Sequence, residues 1–409
     1  MPYSRVGKIL CALSSIFAVD AALGGAIAQA KYSFEIYGFA EADAIYDTNR
    51  VDPAWDDAFR PSKIATVEGT FGSNGQTSIS VKQSRFGVQG SLPVENNVGP
   101  INFKFEIDMF GVGVDAGQTT IRLRHAYAEW GQVLAGQTHS LFMDIETYPN
   151  VIDYWGPTGM VFYRLPQLRW TPYRTDTSHF SVAIERPGND IDAGQIREFD
   201  PALGANLRND EKLPDFTAQF YTKGTWGHVQ LGGILRRVGF DSVGTLNNEP
   251  KGHETGWGLN LGAHANVFQR DRIIGQVVYG EGIASYMNDG GTDLAPQATF
   301  TPQGILLDVH AKAVPLLGVV AYYDRYWNDA WSTSIGYSLT QVDNTNLQDP
   351  SAYRKGEYAS INLLYTPAKN IMMGGEVMWG QRTDRDHISG SDVRFQFSVK
   401  YSFGAQINL

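Results

Sequence analysis

Residues 393–403 alternate strictly between apolar and polar side chains. The apolar set is bulky and mostly aromatic, and the polar set carries the charges of Arg394 and Lys400. A period of two predicts a β-strand whose two faces lie in unlike surroundings. Bulky apolar groups on one face and charged groups on the other are typical of a strand between lipid and water.

The same alternation recurs in residues 101–109 and 257–267, and 16 strand-like runs are separated by short links and long polar connections in turn. This pattern predicts an all-β fold, a transmembrane antiparallel β-barrel of about 16 strands over residues 31–409. Two segments leave alternatives open. Residues 304–314 are a hairpin arm or a strand extension, and a full strand there would change the count of strands. Residues 404–409 are a short tail or part of a longer last strand. The predicted strands are residues 33–47, 78–91, 101–111, 120–131, 132–137, 168–173, 180–186, 216–225, 228–241, 255–268, 272–284, 317–327, 331–342, 358–366, 371–381 and 392–403.

Residues 1–30 have the three-part layout of a secretory signal peptide. Arg5 and Lys8 precede a mostly apolar run, which ends in an Ala-Gln-Ala cleavage site. Asp20 interrupts that run and leaves it short for a transmembrane anchor. The single cysteine, Cys11, lies within this segment, so we expect no disulfide in the exported chain. Because no later run resembles a spanning helix, we expect the chain in the outer membrane, the periplasm or the medium.

The composition limits the classes of partner. The formal net charge is −10 and no block rich in Lys and Arg offsets it, which argues against a nucleic acid. The 50 aromatic residues (9 Trp, 20 Tyr and 21 Phe) and 44 glycines fit a barrel with interfacial aromatic girdles and close turns. A soluble sandwich also alternates, so a secreted all-β carbohydrate- or ligand-binding module without channel activity is the alternative.

The connection over residues 138–167 is unusually long for a link between consecutive strands. It is rich in aromatic and branched side chains, which need a surface to pack on, and the inner wall of the barrel is the nearest one. We predict an inward-folded constriction loop; the alternative is an ordinary outer loop. Its charged residues are candidate site residues, namely Asp144, Glu146, Asp153 and Arg164.

Charged side chains on inward faces would set the selectivity of a pore. By alternation, the basic candidates are Arg85, Lys104, Arg122, Arg124, Arg169, Arg394 and Lys400. The acidic candidates are Glu41, Asp43, Glu106 and Asp108. Arg122 and Arg124 share one face of a strand, so they repel each other unless an anion or carboxylates lie between them. For each arginine, pairing with Glu106 and Asp108 is an equally good interpretation.

Signatures of enzymes are missing from the sequence. It contains no G-x-S-x-G, no H-E-x-x-H and no G-x-x-x-x-G-K motif. Residues 288–293 resemble half of a calcium loop but lack the closing glutamate, so a polar outer loop is the better interpretation. We therefore predict a protein that is not an enzyme and has no cofactor and no metal; a barrel enzyme with a triad hidden in the fold is the third hypothesis.

Several motifs resemble a known family. Y-G-F-A-E-A-D-A at 37–44, Q-S-R-F-G at 83–87 and R-L-R-H-A-Y-A-E-W at 122–130 resemble Gram-negative porins. Residues 135–144, 156–162 and 166–170 are similar to the DcaP-like porins. The resemblance covers essentially the whole chain after residue 30 and is densest between residues 85 and 171.

The resemblance implies a trimeric outer-membrane porin of 16 strands. Its constricted lumen would favour small organic anions such as dicarboxylates, and its outer wall would contact outer-membrane lipid and lipopolysaccharide. Members of that family often carry a helical segment between the signal peptide and the barrel, whereas the first predicted strand here begins at residue 33. Barrel walls alone would then hold a homotrimer together.

Overall fold

The computed structural model describes residues 32–95 and 98–408. The predicted signal peptide, residues 1–30, lies outside the described residues and stays a prediction. The strands are β1 Ser33–Asp47, β2 Gln76–Ser80, β3 Arg85–Leu92, β4 Ile101–Phe110, β5 Thr119–Trp130, β6 Val133–His139, β7 Arg164–Arg174, β8 Ser178–Glu185, β9 Leu207–Asn209, β10 Asp215–Gly224, β11 Gly227–Ser242, β12 Gly252–Val267, β13 Asp271–Glu281, β14 Leu294–Phe300, β15 Leu306–Ala313, β16 Pro315–Tyr326, β17 Trp331–Val342, β18 Tyr353–Ala368, β19 Ile371–Asp384 and β20 Ser389–Asn408.

These strands form a closed antiparallel barrel with 16 positions in its wall. The ring closes where β1 pairs with β20, from Ser33 opposite Asn408 to Asp47 opposite Arg394. β2 and β3 both pair with β1, one after the other, and together count as one position in the wall. β9 pairs only with the end of β11 and adds no position. β14 and β15 form a separate two-stranded sheet. The predicted fold and strand number are confirmed.

The second predicted strand, residues 78–91, is wrong in one respect, because the described wall strand is interrupted at residues 81–84. Lys82 lies in the interruption and turns inward, where its Nζ lies 2.6 Å from Asp57 Oδ2 and donates to the carbonyl of Gly117 at 2.8 Å. These bonds tie the interruption to the connections after β1 and β4.

The two ambiguous segments are now defined. β15 is the second arm of a hairpin with β14, inside the connection between β13 and β16, so residues 304–314 add no strand to the wall. The last strand continues to Asn408, which makes it longer than the predicted 392–403. Two short helices, Ile196–Phe199 and Pro201–Asn206, lie in the connection between β8 and β10. No helix among the described residues is long and apolar enough to cross a membrane.

The two ends of the barrel differ. Connections such as residues 131–132, 225–226 and 369–370 are tight turns at one end, and residues 48–75 and 282–314 belong to long connections at the other. This asymmetry is typical of outer-membrane barrels, whose short turns face the periplasm. We call these the short-turn end and the long-loop end.

The two faces of the wall differ as the alternation predicts. On β20, Phe397 and Tyr401 are 50% and 54% exposed on the outside, whereas Gln396 and Ser398 are 3% and 0% exposed on the inside. Outward apolar groups would be costly in water and match hydrocarbon. The low exposure of the inner face means that something covers it.

Candidate functional site

The cover is the connection between β6 and β7, residues 140–163, which folds into the barrel; we call it the inward loop. It starts against β8, where Ser140 Oγ donates to Glu185 Oε2 at 2.8 Å. Near its end the amide of Gly159 donates to Ser338 Oγ of β17 at 2.8 Å. Further hydrogen bonds join it to β11, β12, β13, β16, β18, β19 and β20.

The loop is shorter than the predicted residues 138–167. Pairing between β6 and β7 continues to His139 opposite Arg164, so the ends of the predicted range belong to strands. Arg164, which we predicted as a loop residue, is the first residue of β7. Its side chain nevertheless lines the same internal cavity as residues of the loop.

Apolar packing holds the inward loop against one side of the wall. Phe142 and Val161 of the loop are fully buried and pack with Ile234, Val278 and Ile283 from the wall and the connection after β13. Burial of such side chains stabilises the docked loop by roughly 1.5–3 kcal/mol each. The aromatic and branched composition of the loop is thus explained by an internal packing surface.

Two inward-facing glycines let the loop approach the wall. A Cβ on Gly262 of β12 would lie 2.3 Å from Asp144 Oδ2, and one on Gly318 of β16 would lie 2.4 Å from the carbonyl oxygen of Gly159. A larger residue at position 318 would push the loop backbone away from the wall, and one at position 262 would displace the side chain of Asp144. The inward loop therefore contacts the wall at inward-facing positions that the sequence fills with glycine.

Opposite this packed side, strands β3 to β5 place basic side chains nearest the lumen and acidic side chains beneath them. Glu106 and Asp108 have side chains 3% and 0% exposed, whereas Arg85, Lys104 and Arg122 are 27%, 24% and 17% exposed. Arg85 Nε and Lys104 Nζ lie 3.6 and 3.3 Å from Glu106 oxygens, and Arg122 Nη2 lies 2.7 Å from Asp108 Oδ2. The surface shown to the lumen is therefore basic. We call these cations the basic arc: Arg85, Lys104, Arg122 and Arg124.

Arg124 is the buried member of the arc. Its Nε lies 2.6 Å from Glu106 Oε1 and its Nη1 lies 3.0 Å from Asp108 Oδ2. Tyr154 of the inward loop joins them, because its hydroxyl donates to Asp108 Oδ2 at 2.6 Å and accepts from Arg124 Nη1 at 3.0 Å. The Tyr154 ring stacks on Phe110 at 4.0 Å. Carboxylates do lie between Arg122 and Arg124, as the pairing interpretation proposed.

A second acid and cation pair extends the basic surface. Lys400 Nζ lies 3.0 Å from Glu41 Oε2, and the two side chains are 27% and 0% exposed. Asp43 is buried nearby and accepts hydrogen bonds from Gln83 and Gln396. Here too the cation faces water and the acidic groups lie beneath.

Two predicted basic residues have other surroundings. The prediction that Arg394 lines the pore is wrong, since its side chain is fully buried, with Nε and Nη2 at 2.6 and 2.8 Å from Asp47, under the ring of Phe59. The loop over residues 48–75 covers it, which alternation on β20 cannot reveal. Arg169 is partly buried, and its Nη2 donates to the carbonyl of His139 at 2.7 Å.

Of the three predicted acids of the inward loop, two are buried and bonded within the protein and one is exposed. Asp144 and Asp153 are 1% and 2% exposed, so these two candidate site residues do not face open lumen. Asp153 accepts from the amides of Phe59 at 3.0 Å and Gly156 at 2.8 Å. Burial raises the pKa of Asp153 to about 6. Glu146 is the exposed one, at 45%.

A cavity of about 540 Å³ lies at the long-loop end, between the inward loop and the long connections. Its lining brings together three arginines and five large aromatic side chains, a combination suited to planar, anionic solutes. They are Arg60, Arg122, Arg164, Trp55, Tyr154, Trp155, Phe162 and Tyr163.

Arg60 is held rigidly at the edge of this cavity. Its guanidinium lies 4.2 Å from the ring centroid of Trp55 and 4.7 Å from that of Trp155. Asp289, 1% exposed, receives its Nη2 at 2.9 Å. Residues 288–293, predicted as a polar outer loop, thus supply a buried ion-pair partner.

Arg164 differs from the other arginines of the cavity. Its guanidinium lies 5.1 Å from the ring of Phe162, and no carboxylate among the described residues pairs with it. Its Nη1 is buried without a hydrogen-bond partner in the described part of the chain. An unpaired guanidinium in a cavity with Arg122 and Arg60 is a site for an anionic group.

One acid lines the same cavity. Asp190 lies in the connection between β8 and β10, within the concave lining. The side chain of Asp190 keeps contact with water, but the surrounding loops partly desolvate it, and this, followed by the negative charge of Asp293, raises its pKa to about 6. The charge of the cavity therefore changes with pH in the mildly acidic range.

A family model described as DcaP outer membrane protein matches residues 23–403. The chain belongs to the DcaP outer membrane protein family. It is therefore an outer-membrane porin, as the resemblance implied, and this family and fold are those of a channel rather than an enzyme or a secreted binding module.

Solved structures agree with this membership of the DcaP family at the level of the fold. The outer membrane channel DcaP of Acinetobacter baumannii is 24% identical with a TM-score of 0.75, over 93% of this chain and 100% of that one. An anion-selective porin from Comamonas acidovorans is 11% identical, with a TM-score of 0.57 and coverage of 91% and 100%. OmpT of Vibrio cholerae in its trimer form is 12% identical, with a TM-score of 0.53 and coverage of 90% and 99%. A comparison with curated proteins gave no match.

Reasoning from the sequence missed part of the site of this DcaP-family porin. Arg60, Trp55 and Asp190 lie in long connections, where no alternation assigns a side chain to a face. The one available signal was the presence of a tryptophan and an arginine, Trp55 and Arg60, in the same long connection. Tyr154 lies in the loop that we predicted, but its bond to Asp108 depends on the path of that loop.

Proposed function

We propose that this porin is a passive diffusion channel that favours small organic anions such as dicarboxylates. One observation carries the proposal: Arg85, Lys104, Arg122 and Lys400 are partly exposed to the lumen, and the carboxylates that balance them are buried beneath. A permeating solute is therefore closest to positive charge. A narrow lumen with walls of low dielectric constant strengthens that effect, so a few cations outweigh a net charge of −10.

The preference for two carboxylates rests on the cavity. Arg60, Arg122 and Arg164 line one space of about 540 Å³, large enough for a small dicarboxylate with its water. Each guanidinium can bind a carboxylate through two parallel hydrogen bonds. The anion-selective porin of Comamonas acidovorans has a similar fold, which supports the direction of the selectivity.

The decisive experiment measures ion selectivity in planar bilayers. Under a KCl gradient, the reversal potential should indicate a preference for Cl⁻. Arg164→Gln should lower the permeability ratio of Cl⁻ to K⁺ at least about twofold, because it removes an unpaired charge from the cavity. It leaves no carboxylate without a partner, so folding should be unaffected.

Arg270→Gln is the matched control. Arg270 lies in a short turn, 54% exposed and paired with Asp329 at 2.6 Å, so the variant loses the same charge away from the cavity. Its selectivity should equal that of the wild type. Cation selectivity of the wild type would disprove the anion preference, and equal ratios for both variants would remove Arg164 from the site.

Uptake into liposomes tests the solute class. Succinate should enter faster than succinamide, which has nearly the same size and no charge, and Arg164→Gln should reduce the difference. Equal rates for the two solutes in the wild type would contradict a dicarboxylate preference while leaving general diffusion intact.

We also propose that the barrel assembles as a homotrimer surrounded by outer-membrane lipid and lipopolysaccharide. A concave apolar groove of about 780 Å³ on the outer wall of β6 to β12 is floored by small residues, Ala218 and Gly233, and edged by Trp170 and Trp257. Such a groove fits either the neighbouring wall or lipid chains. The trimer form of OmpT from Vibrio cholerae supports the oligomeric state, and light scattering in detergent would measure it.

A further inference from the structure

Two histidines face each other inside the barrel, away from the arginine cavity. His228 of β11 and His264 of β12 are directly opposite in the register of the two strands, near the short-turn end. Glu146, the exposed acid of the inward loop, reaches toward both. None of these three side chains lines the cavity of Arg60, Arg122 and Arg164.

The three groups converge on one point. His228 Nδ1 and His264 Nδ1 lie 2.5 Å apart, and Glu146 Oε2 lies 3.6 Å from the first and 4.0 Å from the second. Ligands around a tetrahedral zinc ion, with bonds of 2.0–2.2 Å, lie about 3.3 Å from one another. Small side-chain rotations, which separate the two nitrogens and bring the carboxylate closer, would give that spacing.

A buried carboxylate fixes the orientation of His228. Asp144 Oδ2 lies 2.7 Å from His228 Nε2, and the two side chains are 1% and 0% exposed. An ionised carboxylate only accepts hydrogen bonds, so Nε2 carries the proton and Nδ1 presents its lone pair. A carboxylate behind a histidine is the usual support of a metal ligand, where it fixes the tautomer and the ring plane.

Glu146 is oriented in a similar way and remains accessible. The hydroxyl of Tyr221 donates to Glu146 Oε1 at 2.6 Å, which leaves Oε2 toward the histidines. Glu146 is 45% exposed, whereas His228 is fully buried, so the open side of the cluster faces water in the lumen. Two imidazoles and one carboxylate with an open position suit Zn²⁺, Ni²⁺ or Cu²⁺ better than Ca²⁺ or Mg²⁺, which prefer oxygen ligands.

We propose that Glu146, His228 and His264 bind a divalent transition-metal ion such as Zn²⁺ and that the bound ion ties the inward loop to β11 and β12. The histidine ligands come from the wall and the carboxylate comes from the loop, so the ion would link two parts of the lumen that otherwise meet through hydrogen bonds and packing. The ion would also add positive charge next to the path of solutes. This proposal goes beyond the anion preference and does not depend on it.

Calorimetry on the full-length protein in detergent, without a histidine tag, tests the site directly. Titration with ZnCl₂ should show one ion per chain. His228→Ala combined with His264→Ala should weaken binding at least about tenfold, and Glu146→Gln should weaken it less. His253→Ala, which changes an exposed histidine elsewhere on β12, is the control and should bind as the wild type does.

Two outcomes would overturn the proposal. One is a wild type that binds no Zn²⁺; the other is a double variant that keeps the affinity and stoichiometry of the wild type. If the double variant fails to fold, as judged by circular dichroism, Glu146→Gln decides, because it keeps the volume of the side chain and both histidines.

Conductance tests the tie between loop and wall. Zn²⁺ added on the short-turn side should change the current through the wild-type channel. Glu146→Gln should need a higher zinc concentration for the same change, because the ligand from the loop is lost. The same zinc response in both channels would disprove the role of the loop. Ion selectivity measured without zinc is independent of this result, so failure here and failure of the proposed function can be distinguished.

Discussion

The Nε of Arg124 lies 2.6 Å from Oε1 of Glu106, and both side chains are almost completely buried. This ion pair holds together the basic arc, because Arg85 and Lys104 also lie near Glu106. The exposed cations therefore depend on an ion pair that a solute cannot reach.

Replacing Arg124 by Met should destabilise the barrel more than replacing an exposed arginine does. Removing one partner of an isolated buried pair costs about 3–5 kcal/mol. Glu106 keeps Arg85 and Lys104, and Asp108 keeps Arg122, so the loss here should be smaller than that but larger than for an exposed pair. The free energy of unfolding in urea, measured in detergent, gives the loss. Arg174→Met breaks a half-exposed pair with Glu129 and should cost less than about 1 kcal/mol. Equal losses would mean that Glu106 and Asp108 find other partners.

The selectivity of the channel should depend on pH through Asp190. Its pKa of about 6 means that the carboxylate is charged at pH 7 and neutral at pH 5. As the pH falls through 6, the cavity loses a negative charge beside Arg60, Arg122 and Arg164, so the preference for Cl⁻ should rise. Reversal potentials at pH 7 and pH 5 measure this change. Asp190→Asn should show the higher preference at both pH values, and an undiminished pH response would assign the effect to another group.

Asp153 should make the docked loop more stable in mild acid. Its folded pKa of about 6 is above the ordinary value of 3.8, so the folded state disfavours the charged form. The cost is absent below pH 4, grows as the pH rises to 6, and is complete above that value, at about 3 kcal/mol. Arg394 lowers this pKa and Asp43 raises it. Urea unfolding at pH 7 and pH 4.5 should therefore differ more in the wild type than in Asp153→Asn, and an identical difference would contradict the prediction.

Tyr154→Phe should loosen the inward loop without unpacking it. The variant keeps the ring stacked on Phe110 but loses a hydrogen bond to the charged Asp108, worth about 1.5–3 kcal/mol. We expect larger fluctuations of the open-channel current in planar bilayers. Tyr163→Phe removes a hydroxyl from a more exposed ring at the end of the loop and is the control. Matching noise in the two variants would show that Tyr154 does not anchor the loop.

The wall of this porin was predictable because alternation is a local property. The first strand was predicted as residues 33–47 and is Ser33–Asp47. The alternation of side chains was also enough to predict which charged residues of β4 and β5 face inward. The interruption at residues 81–84 was not predictable, because Lys82 leaves the ladder for Asp57, a residue of a separate loop.

The site was predictable only where it lies on strands. The alternation of side chains places both Arg394 and Arg122 on the inner face. It does not show that a loop covers Arg394 and leaves Arg122 in contact with the lumen. Burial of that kind depends on how residues 48–75 and the inward loop share the lumen. The three-group cluster of Glu146, His228 and His264 was missed for the same reason, since it needs the register of two strands and the path of a loop.

The pairing of β1 with β20 also bears on how the chain is made. Ser33 lies opposite Asn408, so β1 waits for β20, made more than 300 residues later, before its outer edge is satisfied. Until then, the growing chain has two open edges that other strands could join, which is the ordinary route to aggregation. The unfinished chain must therefore be kept apart from its copies during export, and the ring can be sealed only once β20 has been made.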